Sequence, residues 1–242
     1  MKKPVKAAKP KIVKAANKPA LSVSPSAWMV WEKCALSSQA VKSPIVLERD
    51  EYAKEGTRLH KAIEQTLRGE SPVIEDSDDA ALVRFAVETT RRELDGYGNA
   101  IARGVEMSLS AKIKNVSFSG VADCLVAKGD TITVIDFKTG WREVEAEGNS
   151  QLKLYAHMAA WAIEKIRRPF DEPKKRWKGI IINARFNSVA YTGGDIDDDY
   201  LIIVADDLIA RTAKKQFLTG NHCAYCQRLS ICSKIRAEIV KW

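Results

Sequence analysis

The sequence predicts an α/β (α+β) fold in which helices flank a central mixed β-sheet, and the order of its apolar patterns predicts this class. Helical spacing of apolar residues dominates the first third of the chain. Short alternating or continuous apolar runs then extend from Val105 to Asp136, and helix, strand and helix patterns follow from Asn149 onward. Helices, an antiparallel meander and then helix, strand and helix are typical of layers packed around one sheet.

Three helices are expected before the strands. The first follows Ser22 or Ser24 as a cap and carries Cys34, together with two tryptophans. The second carries His60, and Asp76 suits the N-terminus of the third because a carboxylate there opposes the helix dipole. The predicted ranges of the second and third helices are 52–67 and about 78–94.

The strand region predicts a three-stranded meander. A hairpin turn at Lys128-Gly129-Asp130 joins the second strand to the third. A long helix then opens at Asn149 and ends near Pro169, since proline cannot continue a helix. The predicted strands are 105–113, 116–127, 132–136 and 179–186 with a partner around 189–191, and the last helix covers about 198–217.

Charge is concentrated in the first twenty residues. They hold seven lysines and no acidic residue, so the net charge of +8 falls to +1 over residues 21–242. We expect residues 1–20 to be a disordered tail and residues 21–242 to be a single domain. The tail suits either a loose phosphate-binding arm or a solubilising extension.

No run of eighteen apolar residues occurs, and the lysine-rich start lacks the apolar segment of a signal peptide. These features predict a cytoplasmic protein with no membrane span. Five cysteines in such a reducing compartment are typical of metal ligation more than of structural disulfides.

Two carboxylates and a lysine carry the strongest chemical signal. Asp123 and Asp136 lie on strands joined by a tight turn, so their side chains can meet at adjacent strand positions. Two adjacent carboxylates repel each other unless a cation lies between them. Carboxylates that act on phosphate substrates usually bind Mg²⁺ or Mn²⁺. Lys138 shares the face of Asp136 because strand side chains alternate, so it can orient water or neutralise charge on phosphate.

Three further residues lie in suggestive places, although each alone is as compatible with an ordinary polar role. His60 lies on a helix upstream of the strands, where a neutral imidazole can supply a softer ligand that favours Mn²⁺. Gln151 and Tyr155 are four residues apart on the helix after the Asp-x-Lys strand, and therefore project from one helix face.

Taken in order, the motifs resemble the RecB-like branch of the PD-(D/E)xK nuclease superfamily. They read G-x-x-x-H at 56–60, G-x-x-D at 120–123, D-x-K-T-G at 136–140 and Q-x-x-x-Y at 151–155. The resemblance implies a restriction-endonuclease-like core at about 45–190. It also implies that His60, Asp123, Asp136 and the backbone carbonyl of Phe137 ligate the metal. Asp136 stands where relatives often carry glutamate, which leaves the metal preference open.

The same resemblance assigns roles to the remaining motif residues. Lys138 would position and activate the attacking water, while Gln151 and Tyr155 would support the site or touch the DNA backbone. The implied activity is metal-dependent hydrolysis of DNA, as an exonuclease acting on ends or single strands. No P-loop sequence occurs, so any unwinding would need a helicase or recombination partner.

A second candidate site consists of cysteines. Cys223, Cys226 and Cys232 form C-x₂-C-x₅-C near the C-terminus, at about 218–236, and Cys34 lies far upstream. Four thiolates suit Zn²⁺ or an iron-sulfur cluster, and the spacing alone does not decide between these or free thiols. The pattern is similar to the iron-sulfur staple of the AddB nuclease domain and of CRISPR-associated RecB-like exonucleases, which implies [4Fe-4S]. Cys124 is expected to be a small buried apolar residue.

The whole pattern is also similar to a phage-related RecB-like group, which implies a role in DNA recombination or degradation in the cytoplasm of a bacterial host. Two other classes of function stay open from the sequence. One is a non-catalytic DNA-binding or assembly module that keeps the nuclease fold. The other is a zinc-stabilised interaction protein in which the acidic residues are incidental.

Overall fold

A computed structural model describes residues 21–38, 50–95, 102–166, 173–214 and 218–226, together with residues 229, 232 and 235. The basic tail therefore lies outside the described residues. The strands are β1 (Leu21–Val23), β2 (Ala102–Ile113), β3 (Val116–Lys128), β4 (Thr131–Lys138), β5 (Arg176–Asn183) and β6 (Ser188–Asp195). The helices are α1 (Pro25–Trp31), α2 (Asp50–Leu67), α3 (Ser77–Glu93), α4 (Ser150–Ile166) and α5 (Tyr200–Ala213).

The six strands form one mixed sheet, as the sequence predicts. The order β1-β3-β4-β5-β6 runs across it, and β2 pairs with the other edge of β3. β2, β3 and β4 are the predicted antiparallel meander, while β5 joins β4 in parallel through the crossover helix α4. Strand pairs of both kinds in one sheet are common where a hairpin region meets a β-α-β connection.

Helices cover both faces of the sheet, which gives three layers. One core contains Ile135, Phe137 and Ile180 of the sheet and packs against α2 and α3. The other contains Leu125, Val134 and Ile181 and packs against α1, α4 and α5. Because β4 and β5 lie between two apolar layers, they read as nearly continuous apolar runs in the sequence.

β3 forks along one edge, and this fork positions the candidate site. Residues 116–118 of β3 pair with β1, whereas residues 124–128 pair with β4. The last pair with β4 is Cys124 with Ile135, so Asp123 and Asp136 are the next residues on strands that separate there. The separation frees backbone groups of β4 from the ladder beside the two carboxylates.

Local capping explains where the helices begin. The Asp76 carboxylate accepts hydrogen bonds from the backbone N–H groups of Asp78 and Asp79, at 2.8 and 2.9 Å, as expected for the start of α3. The Asn149 side chain accepts from Leu152 N at 3.1 Å and starts α4. Ser24 precedes α1, but its hydroxyl makes no capping bond.

Several boundaries differ from the prediction. Helix α1 ends at Trp31, so Cys34 follows the helix and is not on it. The strand expected at 179–186 is β5, which begins earlier and ends at Asn183, because residues 184–186 form a 3₁₀ turn that Asn187 closes with a φ of 50°. The sequence analysis also missed β1, which is only three residues long and pairs in parallel with β3.

No helix in the described ranges combines the length and the apolar character needed to cross a membrane.

Replacing Gly120 by alanine should destabilise the fold. A Cβ there would lie 2.8 Å from Cδ of Pro25 and 3.1 Å from the Tyr155 hydroxyl, so α1 or α4 must move. Overpacking of this kind costs about 1–3 kcal/mol. Chemical denaturation of Gly120→Ala should show this loss in the free energy of unfolding. The matched control is Gly140→Ala, whose Cβ would have no neighbour within 4 Å, and equal stability of the two variants would contradict the packing described for Gly120.

Candidate active site

Asp123 is fixed at the fork by the backbone of the neighbouring strand. Its Oδ2 accepts a hydrogen bond of 2.7 Å from the N–H of Phe137. The carboxylate therefore replaces the ladder partner that Phe137 loses where β3 and β4 separate. This contact holds the first carboxylate beside the segment that carries the second.

Asp136, Lys138 and Gln151 form one connected polar cluster. Lys138 Nζ lies 2.7 Å from Oδ2 of Asp136, and the Gln151 amide donates to Oδ1 of the same carboxylate at 2.6 Å. Lys138 also donates to the Gln151 oxygen at 3.3 Å. Asp136 and Lys138 thus share a face as the strand alternation predicts, and Gln151 of α4 holds both.

Burial of the charged Asp136 carboxylate is unfavourable in free energy. Its residue is only 4% exposed, and burial raises the pKa of Asp136, with the charge of Asp123 adding to the rise while Lys138 opposes it. A buried carboxyl group with a raised pKa and a second carboxyl group beside it is typical of functional sites.

His60 approaches the same carboxylates from α2. Its Nδ1 lies 3.7 Å from Oδ2 of Asp123, and its ring meets the Phe137 ring edge-on at 6.2 Å between centroids. Burial lowers the pKa of His60, but the nearby Asp123 carboxylate raises it more, so that the net pKa is above its usual value. The structure therefore places His60 beside Asp123.

The sequence analysis missed Glu106, which belongs to this site. It lies on β2 opposite Asp123 and adopts a φ of 54°, a left-handed conformation that is uncommon for residues other than glycine. Burial raises the pKa of Glu106, and the charges of Asp123 and Glu64 raise it further. The register of the β2–β3 hairpin could have indicated this residue, because pairing Ile113 with Val116 places residue 106 across from residue 123.

Tyr155 supports the strand that carries Asp123. Its hydroxyl donates a 2.6 Å hydrogen bond to the carbonyl of Val121, and burial raises its pKa, so it remains a donor at neutral pH. Its ring also packs over Gly120, which explains the glycine of the G-x-x-D motif. Tyr155 thus shares a helix face with Gln151, but it contacts backbone and not the carboxylates.

The donors at the fork suit a hard divalent cation. Asp123, Asp136 and Glu106 supply carboxylate oxygens and His60 an imidazole, which are the ligand types that Mg²⁺ and Mn²⁺ accept. Asp136 is turned toward Lys138 and Gln151, and Asp123 toward Phe137 N. In this arrangement no three His, Cys, Asp or Glu side chains in the described part of the chain converge as a metal cage. A cation bound by both carboxylates would need them to turn toward each other.

The four predicted cysteine ligands come together at one cavity. Cys34, Cys223, Cys226 and Cys232 line a space of about 20 Å³ with His222, whose Nε2 lies 3.8 Å from Sγ of Cys223. None of these four cysteines forms a disulfide, and Cys124 is instead buried on the α2–α3 side of the sheet. The structure thus brings the segment after α1 to the C-terminal segment, although the thiols do not form a closed ligand set among the described residues.

Comparison with known proteins gives one family match. The model of a family described as "Protein of unknown function (DUF2800)" matches residues 83–241. That range contains both candidate aspartates, Lys138, Gln151 and Tyr155, whereas His60 and Cys34 precede it. A search of curated proteins finds no match to this sequence.

Solved structures of similar shape include SSO0001, with 16% identity, 92% of this chain and 90% of that chain covered, and a TM-score of 0.42. They also include an alkaline exonuclease (LHK-Exo) from Laribacter hongkongensis, with 14% identity, coverage of 91% and 96%, and a TM-score of 0.32. A complex of LHK-Exo with dAMP matches at 13% identity, coverage of 81% and 89%, and a TM-score of 0.32.

The raised pKa of Asp136 predicts how stability depends on pH. Between the ordinary pKa of the unfolded chain and the raised pKa of the folded chain, Asp136 is more protonated in the folded state than in the unfolded state. The free energy of unfolding therefore falls as pH rises through this window. In the presence of a chelator, Asp136→Asn should therefore melt at or above the wild-type temperature at neutral pH, and the difference should shrink in acid. The surface variant Asp206→Asn serves as a control. A marked loss of stability in Asp136→Asn at neutral pH would contradict the burial effect.

Proposed function

Since this chain belongs to the DUF2800 family, whose description assigns no activity, we propose a function from the site itself: divalent-metal-dependent hydrolysis of DNA phosphodiester bonds. The observation that carries the proposal is the convergence of Asp123, Asp136 and Lys138 at a strand fork, with His60 beside them. The order of the motifs supports a RecB-like PD-(D/E)xK nuclease, and this resemblance favours an exonuclease that acts on ends or single strands.

Electrostatics supports the need for a metal. The charge of Asp123 raises the pKa of both Asp136 and Glu106, so three carboxyl groups lie close together here, and Lys138 pairs with Asp136. A site of this kind repels a phosphodiester unless another cation is present. When bound, Mg²⁺ or Mn²⁺ supplies positive charge to the phosphate and lowers the pKa of the attacking water. His60, Asp123, Asp136 and the Phe137 carbonyl would hold it.

The protein side chains would do the orienting. Gln151 holds the Lys138 ammonium 2.7 Å from Asp136, so the ammonium is positioned beside the carboxylates before substrate arrives. There it can donate a hydrogen bond to the attacking water or to a phosphate oxygen as negative charge develops. Tyr155 keeps β3 in place through the Val121 carbonyl and thereby positions Asp123.

We also propose that Cys34, Cys223, Cys226 and Cys232 hold a [4Fe-4S] cluster, with Zn²⁺ as the alternative. Their common cavity supports ligation by one centre, since it joins segments almost two hundred residues apart in sequence. Such a centre would fasten the start of the domain to its end. The resemblance to phage-related RecB-like proteins supports a role in DNA recombination or degradation alongside a helicase or recombination partner.

Cleavage of end-labelled linear and circular DNA by anaerobically purified protein tests the nuclease proposal. With Mg²⁺ or Mn²⁺ we expect linear DNA to be degraded and circles to be spared. Asp136→Ala and Lys138→Ala should each lower the rate by at least about 100-fold, the usual effect of losing a group that stabilises charge in the transition state. DNA binding should be largely kept.

Matched controls come from a surface ion pair on the same protein. Lys114 and Asp206 pair with each other on exposed side chains, so Lys114→Ala and Asp206→Ala should cleave DNA as the wild type does. Unchanged cleavage by Asp136→Ala or Lys138→Ala would refute the site. Absence of cleavage by fully metallated wild type would instead favour the non-catalytic DNA-binding module.

The cysteine proposal is tested by colour and metal content. Anaerobically purified wild type should be brown and contain about four iron atoms per chain. Cys226→Ser should lose the visible absorption and melt earlier, since ligation of distant segments contributes to folding. Cys124→Ala is the matched control, because that thiol lies elsewhere, and it should keep both iron and colour. A colourless wild type with stoichiometric zinc would replace the cluster by Zn²⁺.

A further inference from the structure

An exposed tryptophan stands beside the candidate active site. Trp141 follows Lys138 by three residues and is 64% exposed, although a large aromatic side chain normally gains by burial. Three residues span at most about 11 Å, which is about three base steps of a B-form strand. The backbone positions of Trp141 and Lys138 are therefore separated by no more than the length of a few nucleotides.

The indole is held in place from one side. The Arg185 guanidinium lies 3.9 Å from the centroid of the Trp141 ring, in stacking contact with one face. Because the residue remains 64% exposed, its other face is open to solvent. A planar ring that is supported on one face and open on the other is the form of a nucleobase-stacking platform.

Arg185 is itself anchored to the core of the site. Its Nε donates to the carbonyl of Thr139 at 3.0 Å, and its terminal nitrogen donates to Glu55 Oε1 on α2 at 2.7 Å. These two bonds tie α2, which carries His60, to the strand end that carries Lys138. The platform is therefore built on the same elements as the active site and is ordered before substrate arrives.

Two more exposed aromatic side chains lie on the segments that Arg185 joins. Phe186 is adjacent to Arg185, and Tyr52 lies one helical turn before Glu55 on α2. These segments thus combine exposed rings with a guanidinium, which are the groups that proteins use to hold single-stranded nucleic acid.

We propose that Trp141, backed by Arg185, stacks on a nucleobase of the single strand whose phosphodiester lies at Lys138. This inference rests on the proposed nuclease function and deepens it, because it identifies unpaired bases as the part of the substrate that the site binds. The occupant is a base and not an apolar peptide, since the ring follows the strand that carries Lys138 and is supported by a cationic side chain. Stacking also tolerates any sequence because every base has a π-face.

The test measures the dissociation constant for a fluorescent single-stranded oligonucleotide, with all variants made in full-length Asp136→Ala protein to prevent turnover. Trp141→Ala should bind about ten-fold more weakly, which corresponds to one base–aromatic stack. Trp141→Phe should stay close to its parent. The matched control is Tyr191→Ala, which removes an exposed ring that also has a cation over it, Lys178 at 5.0 Å, on the α3 side of the sheet.

An oligonucleotide with abasic sites separates stacking from a general loss of contact. The parent should lose about ten-fold in affinity for it, whereas Trp141→Ala should bind intact and abasic strands equally. If the parent and Trp141→Ala lose the same affinity on going from the intact to the abasic strand, the stacking platform is overturned. Unchanged binding of the intact strand by Trp141→Ala would also overturn it, and both results leave the nuclease proposal intact. Failure of the parent to bind any DNA, together with failure of the wild type to cleave it, would overturn both.

Discussion

The hydrogen bond from the Phe137 backbone to the Asp123 carboxylate is the constraint on which the site depends. β3 cannot pair with β1 and β4 along its whole edge, so the strands separate after Cys124 and Ile135. A freed backbone N–H in a sheet needs a partner, and the Asp123 side chain supplies it. The topology of the sheet and the placement of the first carboxylate are therefore one feature.

The same fork places the second carboxylate, Asp136, in a buried position that lowers the stability of the fold. It is buried, its pKa is raised, and Lys138 and Gln151 compensate only part of that cost. A fold that keeps such a group without gaining stability from it is typical of one selected for function. The left-handed backbone at Glu106 across from Asp123 is a second local departure from ideal geometry at the same point.

The sequence was sufficient to predict the mixed sheet, the meander and the common face of Asp136 and Lys138, because strand alternation and hairpin turns are local properties. It missed β1, since three residues carry no periodic signal. It also missed Glu106 and Trp141, which become visible only when the register and the stacking on Arg185 are known. The hydrogen bond from Phe137 N to the Asp123 carboxylate could not be predicted, because it depends on where the strands separate.

Titration of metal-free protein with Mn²⁺, followed by electron paramagnetic resonance of the free ion, measures whether Asp123 and Asp136 form a divalent-metal site. We expect one site per chain at the strand fork. Its affinity should be about 10-fold to 100-fold weaker in Asp136→Asn, as for other substitutions that disturb a metal site, and unchanged in Asp206→Asn. Equal Mn²⁺ affinity in wild type and Asp136→Asn, or no binding by either, would contradict a divalent-metal site built on Asp123 and Asp136.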